Sequence, residues 1–401
     1  MPGPGRRSAA GSHRIPRVVA AVAAGAAATL LALTGAACTA DEAARPPGPE
    51  RLSWAETRLP DSMAPLTLAP VGNALLVGAR APQGAEVRPS LLLLDRADPT
   101  RVDRRLPVRP VSPTAYQVRW LAVTTRAGRI TAVGGAPAGA HSNTRWSTWA
   151  GTLETGVREQ PQPFETFGGW GAGAVTALVA TPERDLLVGS WAGTTGDDVV
   201  TWRQSAERWV RTSPAGTPLA STPSLLTGAR GATAWGRGVL VVGSTTSLQP
   251  GRVAQRPAGW RAPSTAGPWS RVDLDSGDAA GEAHAAACDS ERCLVLGQVG
   301  GRLAAWDVND TGARRLPGMP SWPVGERDLL PPPLLLRSGP VAVVPHDGRA
   351  HVLVLGPDAV TDRGGPEAAS VASVVATGDR LAVVAADGEE RTRLWTTAYR
   401  S

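Results

Sequence analysis

A four-residue apolar strand ending in a small residue recurs along the chain, as LLVG to Gly78, TAVG to Gly134, LLVG to Gly189, LVVG to Gly243 and LVLG to Gly297. Two more copies replace the glycine: VAVVP ends at Pro345 and LAVVA at Ala385. The intervals are 56, 55, 54, 54, 48 and 40 residues. A period of this size marks an architecture in which each unit is too small to bury its own faces and must stack on its neighbours.

A second strand follows each copy at a nearly fixed offset. It reads SLLLLD (90–95), TRWSTWAG (144–151), DVVTWRQ (198–204), GRLAAWDV (301–308), HVLVLGP (351–357) and TRLWTTA (392–398), with GRVAQRPAGW ending at Trp260 as the weakest copy. Val299-Gly300-Gly301, His346-Asp347-Gly348 and Ala386-Asp387-Gly388 supply residues that accept the positive φ of tight hairpin turns. A third, outer strand closes the unit in RWVRTS, WSRVDL or ARRLPG. No segment after residue 37 sustains a 3.6-residue apolar period, so few helices are expected. Small antiparallel sheets of three or four strands bury both faces by radial stacking. The pattern predicts an all-β chain, a seven-bladed β-propeller over 51–401, with six or eight blades compatible because the first and fourth copies are poorly marked. The last copy ends after its third strand. RLSWAETRLP (51–60) has no unit of its own, so it is expected to close the last blade.

The first 37 residues read as an address. Arg6, Arg7, Arg14 and Arg17 precede the uncharged run from Val18 to Ala37, the order of an export signal peptide. Arg6-Arg7 is followed by SAAGS rather than by an apolar pair, which favours the general secretory route over twin-arginine export. LTGAAC, ending at Cys38, resembles a bacterial lipobox. Ala36 and Ala37 fit it, and Gly35 stands where that family usually has Leu. The resemblance implies a lipidated Cys38 on the extracytoplasmic face of the cell membrane, and a secreted protein if the lipobox is not used. Residues 38–50, with ARPPGPE, form a Pro-rich tether of the extended kind.

Two stretches, GWRAPSTAGPWSRVDL (259–274) and TWRQSAERWVRTSP (201–214), resemble the strand-turn-strand of sialidase-type BNR, or Asp-box, propellers. Ser264, Gly267 and Trp269, or Ser205 and Trp209, survive there without the Asp. AACDSERCLVLGQVGGRLAAW is similar to secreted actinobacterial propellers with a Cys pair around a blade's first hairpin. Cys288 and Cys293 flank such a turn and are expected to form a disulfide, which export permits. A metal site with His284 would lack a fourth ligand nearby, so none is expected.

All 41 basic residues counted as Lys+Arg are Arg, against 35 acidic residues, and the Arg side chains form no run. Nucleic acid is therefore excluded as a partner. Sialidase chemistry requires a Tyr nucleophile with a Glu partner and a cluster of Arg. Tyr116 and Tyr399 stand in neither of the places where that family puts its nucleophile. No G-x-S-x-G, H-E-x-x-H or Walker-type loop occurs, and no cofactor is expected. His346 beside Asp347 could orient an imidazole as a base, and Asp197-Asp198 or Asp307 with Asp310 could act as acids, but turn and loop decoration explains each. Trp146, Trp149, Trp202, Trp209, Trp269, Trp306 and Trp395 fall at strand positions and read as packing. Trp170, Trp191 and Trp322 lie in Gly- or Pro-rich connections and are the candidates for a binding face. The expectation is a monomeric, non-enzymatic binding or scaffold module for a protein or glycan. The alternatives are a divergent carbohydrate-active hydrolase or lyase and an assembly factor for an envelope complex.

Overall fold

A computed structural model describes residues 51–401 apart from 84–85, 96–97, 99, 139–142, 169–172, 358, 390 and 400–401. The signal segment, Cys38, its tether and Trp170 lie outside the described residues. Seven four-stranded antiparallel sheets follow one another along the chain, the second with Val108–Arg109 added parallel at its outer edge. Blade 1 comprises Ala64–Val71, Ala74–Gln83, Glu86–Leu94 and Val102–Leu106, and blade 2 comprises Arg119–Arg126, Arg129–Ala138, Asn143–Thr152 and Gly156–Gln160. Blade 3 has Ala174–Ala180, Asp185–Ala192, Asp197–Ser205 and Arg208–Thr212. Blade 4 has Leu225–Trp235, Gly238–Gln249, Arg252–Ala262 and Ser270–Asp273. Blade 5 is Gly281–Cys288, Arg292–Val299, Arg302–Asn309 and Gly312–Arg315, and blade 6 is Leu334–Leu336, Gly339–His346, Arg349–Leu355 and Val360–Asp362. Blade 7 takes Ser370–Thr377, Arg380–Ala386 and Thr392–Ala398 from the end of the chain and Ala55–Thr57 from its start. The chain is a seven-bladed β-propeller, with one short α-helix among the described residues, at Phe164–Phe167.

The closing strand pairs Ala55 with Thr396, Glu56 with Trp395 and Thr57 with Leu394. Thr397 Oγ1 donates to the Ser53 carbonyl at 2.6 Å, and Leu52 and Trp54 pack into the core between blades 6 and 7. Blade 1 packs against both blade 2 and blade 7, so the ring is closed.

The core is a set of inter-blade layers. The second strand of each blade is buried on both faces and alternates between its two neighbours, as the two-residue period of a strand dictates. Val239 and Val241 face blade 3, whereas Leu240 and Val242 face blade 5. This double burial is why the recurring LLVG-type segment reads as continuously apolar. The outer strands are short and polar, which leaves little exposed ladder for another chain to pair with.

The repeated glycine has a steric cause. In six blades the pairing of the first strand with the second slips by one residue beside the repeated small residue, a β-bulge set one residue over in blade 1. The bulged strand bends toward its partner there. A Cβ at Gly243 would overlap the carbonyl oxygen of Gly228, and one at Gly297 that of Glu282. Blade 6 is the exception: its first strand has only three residues, pairs Leu334 with Val341, and stops short of Pro345. The proline nitrogen, which cannot donate, has no first strand opposite it.

Tryptophan marks a second recurrent position. Trp149, Trp202, Trp260, Trp306 and Trp395 pair with Ala132, Leu187, Val241, Val295 and Val383, each two residues before the repeated small residue. In blades 3, 4 and 5 the indole N–H donates to a carbonyl of the connection leading into that blade, Thr166, Pro218 or Asp275, at 2.8–3.0 Å. These indoles bind each connection to its blade. At the hairpins, Gly300-Gly301 and Asp347-Gly348 take positive φ in two-residue turns. Ala386 instead pairs with Thr392, so that turn is longer than a two-residue hairpin, with the Asp387 carboxylate accepting the backbone N–H of Glu389 and Arg391.

Candidate functional site at the ring centre

The bulges do more than bend strands. In each, one first-strand residue is left without a ladder partner: Leu66, Leu121, Thr176, Arg230, His284 and Ala372. The first strands of six blades, together with residues 329–332 before the short first strand of blade 6, surround a central cavity of ≈ 370 Å³, and five of these six residues line it. The wall is therefore uneven. Blades 1, 2, 3 and 7 present mainly aliphatic and hydroxyl side chains, and blades 4 and 5 present Arg230 and His284.

Behind that charged side lies Glu282, only 8% exposed. Arg230 Nε donates to Glu282 Oε2 at 2.9 Å, and a further Arg230 nitrogen donates to the Glu326 carbonyl. Ser244 Oγ donates to Glu282 Oε1 at 3.1 Å and itself accepts from Gln255 Nε2 at 3.1 Å. Both carboxylate oxygens are thus engaged. His284 is 5% exposed, and its Nε2 lies 3.7 Å from Glu282 Oε2 with no hydrogen-bond partner among the described residues. Burial holds its pKa below the ordinary histidine value. Arg230 pushes the same way, against Glu282 and Asp328. A neutral imidazole beside an ion pair can accept a proton or a hydrogen bond. The remainder of the wall can bury an apolar body.

The sequence-derived candidates occupy separate places. Trp191 is not on an exposed connection: it lies in the second strand of blade 3, is 2% exposed, and meets Trp202 edge-on at 5.2 Å. The Gly-rich residues that suggested a loop begin only after it. Trp322 is half-buried and stacks on His346 at 4.6 Å, with His351 at 4.7 Å. Its ring is covered by imidazoles, and it is not brought together with Trp191. Cys288 and Cys293 pair across the first hairpin of blade 5 and form a disulfide.

The remaining acids and histidines are tied locally. His346 Nε2 is 3.3 Å from Asp347, His351 Nδ1 bonds Asp362 at 2.7 Å, and Asp198 accepts the Ser221 N–H at 2.6 Å. Asp310 pairs with Arg261, and Tyr399 is buried in the blade 6–7 core. Among the described residues no group of three or more His, Cys, Asp or Glu could hold a metal ion, and no helix is long and apolar enough to cross a membrane.

Arg230, Glu282 and His284 escape a motif search because no local pattern joins them. A signal does exist: Arg230 precedes Gly243, and His284 precedes Gly297, by thirteen residues. The same offset finds Leu121, Thr176 and Ala372 on the channel wall, whereas in blade 1 the bulge residue Leu66 lies twelve before Gly78 and off that wall.

No protein-family model and no curated protein sequence matches the chain. Solved structures do. An ulvan lyase, a polysaccharide lyase with a GlcA(1-4)Rha3S saccharide bound, superposes with a TM-score of 0.53 at 9% identity, covering 86% of this chain and 95% of that one. The β-propeller domain of the trilobed protease from Pyrococcus furiosus gives 0.49 at 8% identity, over 84% and 93% of the two chains. The sialidase of Trypanosoma rangeli gives 0.44 at 11% identity and is covered over 55% of its length. At these identities the likeness is one of fold.

Proposed function

We propose that the protein is an extracytoplasmic binding module of the cell envelope, a secreted-type bacterial lipoprotein of actinobacterial kind with degenerate Asp-box repeats. It is anchored by a lipid on Cys38 and takes a ligand, or part of a protein or glycan partner, into the central cavity. The observation that carries this reading is the cavity itself. Its ≈ 370 Å³ fall within the usual size of small-molecule sites, and a largely apolar wall with a few convergent polar groups is the usual chemistry of such sites. A binding role without catalysis is supported by Glu282, whose oxygens are both engaged by Arg230 and Ser244.

The test is thermal unfolding of residues 45–401 against cell-wall glycans, sialosides and small amphiphiles, with the Ala372→Trp variant in parallel. Ala372 is exposed at the channel wall. A ligand of the cavity raises the wild-type midpoint, by about 2.7 kcal/mol of stabilisation at a hundredfold excess over Kd, and fails to raise that of the plugged variant. A shift that is equal in both variants removes the channel as the site.

A second reading, a divergent carbohydrate-active hydrolase or lyase, is favoured by His284, a buried imidazole of the cavity wall whose pKa burial lowers. Turnover of a glycan that His284→Gln abolishes, with the ligand-induced shift retained, would replace the binding reading with this one.

A further inference from the structure

A second pocket, of ≈ 240 Å³, opens between the outer part of blade 2 and the connections on either side of that blade, and shares no residue with the channel. Phe164 at its rim is 65% exposed, although a ring of that size usually seeks burial. The Arg145 guanidinium lies 5.5 Å from the centre of that ring and forms no ion pair among the described residues. Two buried polar atoms of pocket-lining residues have no hydrogen-bond partner among the described residues, the donor Trp146 Nε1 and the acceptor Gln160 Oε1. Ser112, Thr114 and Ser147 add hydroxyls. The pocket's own acid, Glu159, is already saturated: it accepts the N–H groups of Val111 and Ser112 and the Ser112 hydroxyl, all at 2.6 Å. It therefore leaves the Arg145 charge unanswered.

We infer that this pocket binds an acidic saccharide, a pyranose carrying a carboxylate. The apolar face of a pyranose covers an exposed aromatic ring, and its hydroxyls both donate and accept, which suits the Ser112 and Thr114 hydroxyls in the lining. A carboxylate on the sugar supplies the anion that an Arg fork receives in two parallel hydrogen bonds. Arg145 and Phe164 are surface groups whose replacement leaves the blade cores intact.

The test is calorimetric titration of residues 45–401 with galacturonate, glucuronate and N-acetylneuraminate, and with glucose and galactose as neutral counterparts. At least one acidic sugar should bind, at least tenfold more tightly than the neutral ones. Phe164→Ala should weaken it at least tenfold, Arg145→Gln should erase the preference for the acid, and Ala372→Trp should leave it unchanged. Binding of none of the three acids, equal binding of neutral sugars, or affinity unaffected by Phe164→Ala would overturn the assignment. Binding lost in Ala372→Trp but kept in Phe164→Ala would do so too, while upholding the channel as a site.

Discussion

Arg230 and Glu282 meet at 2.9 Å across the boundary between blades 4 and 5, one from a bulge position and the other two residues before the next bulge residue, His284. The pair draws a charge from each of two neighbouring blades to one side of an otherwise largely apolar channel. Removing one partner leaves the other charge poorly compensated. Arg230→Gln is expected to cost about 1–3 kcal/mol, moderated because the guanidinium is a third exposed. The double variant Arg230→Gln/Glu282→Gln should recover part of that loss, since it buries no charge. Urea unfolding of the three proteins measures both steps.

His284 makes stability depend on pH in a defined direction. Its folded pKa lies below the ordinary value of about 6.5, so the unfolded chain takes up the proton first as pH falls. The stability that rests on the neutral, buried ring is fully present above about pH 6.5 and declines below it toward the folded value. The slope is at most about 1.4 kcal/mol per pH unit for one proton. Midpoints of thermal unfolding at pH 7.5 and 5.5 should differ more for wild type than for His284→Gln.

Close approach of backbone at Gly243 predicts an unusual sensitivity to a single methyl group. Gly243→Ala would drive a Cβ into the Gly228 carbonyl and should cost more than about 2 kcal/mol. Gly259→Ala, whose Cβ would meet Leu240 and the Val241 carbonyl at 3.4 Å and Val272 at 3.6 Å, should stay within about 1 kcal/mol. Denaturant midpoints distinguish the two.

Deleting residues 51–60 should lower the melting temperature strongly. It strips the outer strand from blade 7, exposes the edge of Thr392–Ala398, and removes Leu52 and Trp54 from the blade 6–7 core. A truncation at residue 45, which keeps that strand, should melt with the full chain.

Lipidation at Cys38 is tested by Cys38→Ala. The variant should partition into the soluble fraction while the wild type sediments with membranes, and equal membrane retention of both would remove the anchor.

Much of the ring was legible because double-sided burial prints apolar runs on most second and third strands, and because the position beside each bulge takes a small residue, glycine in five blades and Ala385 in blade 7. The first strands were not legible: sequences such as RWLAVTTR and SVASVVAT present one side to the channel and the other to a core, and so lack a uniform pattern. Blade 4 was poorly marked because its central hairpin runs on to Gln249 and Arg252, well beyond Val242 and Gly259, and those added residues are polar. Trp191 was misplaced because a following Gly-rich stretch does not reveal where a strand ends. Arg230 was missed, and His284 was weighed only as a metal ligand, for a different reason. Their meaning comes from the position of each within its repeat, and Arg230 lies 52 residues before Glu282, too far to form a motif with Glu282 and His284.

The bulge residues carry a consequence for how such a protein can change. Apart from Leu66, which packs on the core between blades 1 and 2, each faces the channel at a place where the sheet has already given up its ladder contact, so exchanging one of these five side chains rewrites the interior lettering of the ring while the layers between blades stay as they were. The same scaffold can thus pass from Leu and Thr on one arc to Arg and His on another, blade by blade, and acquire a new selectivity by independent single steps.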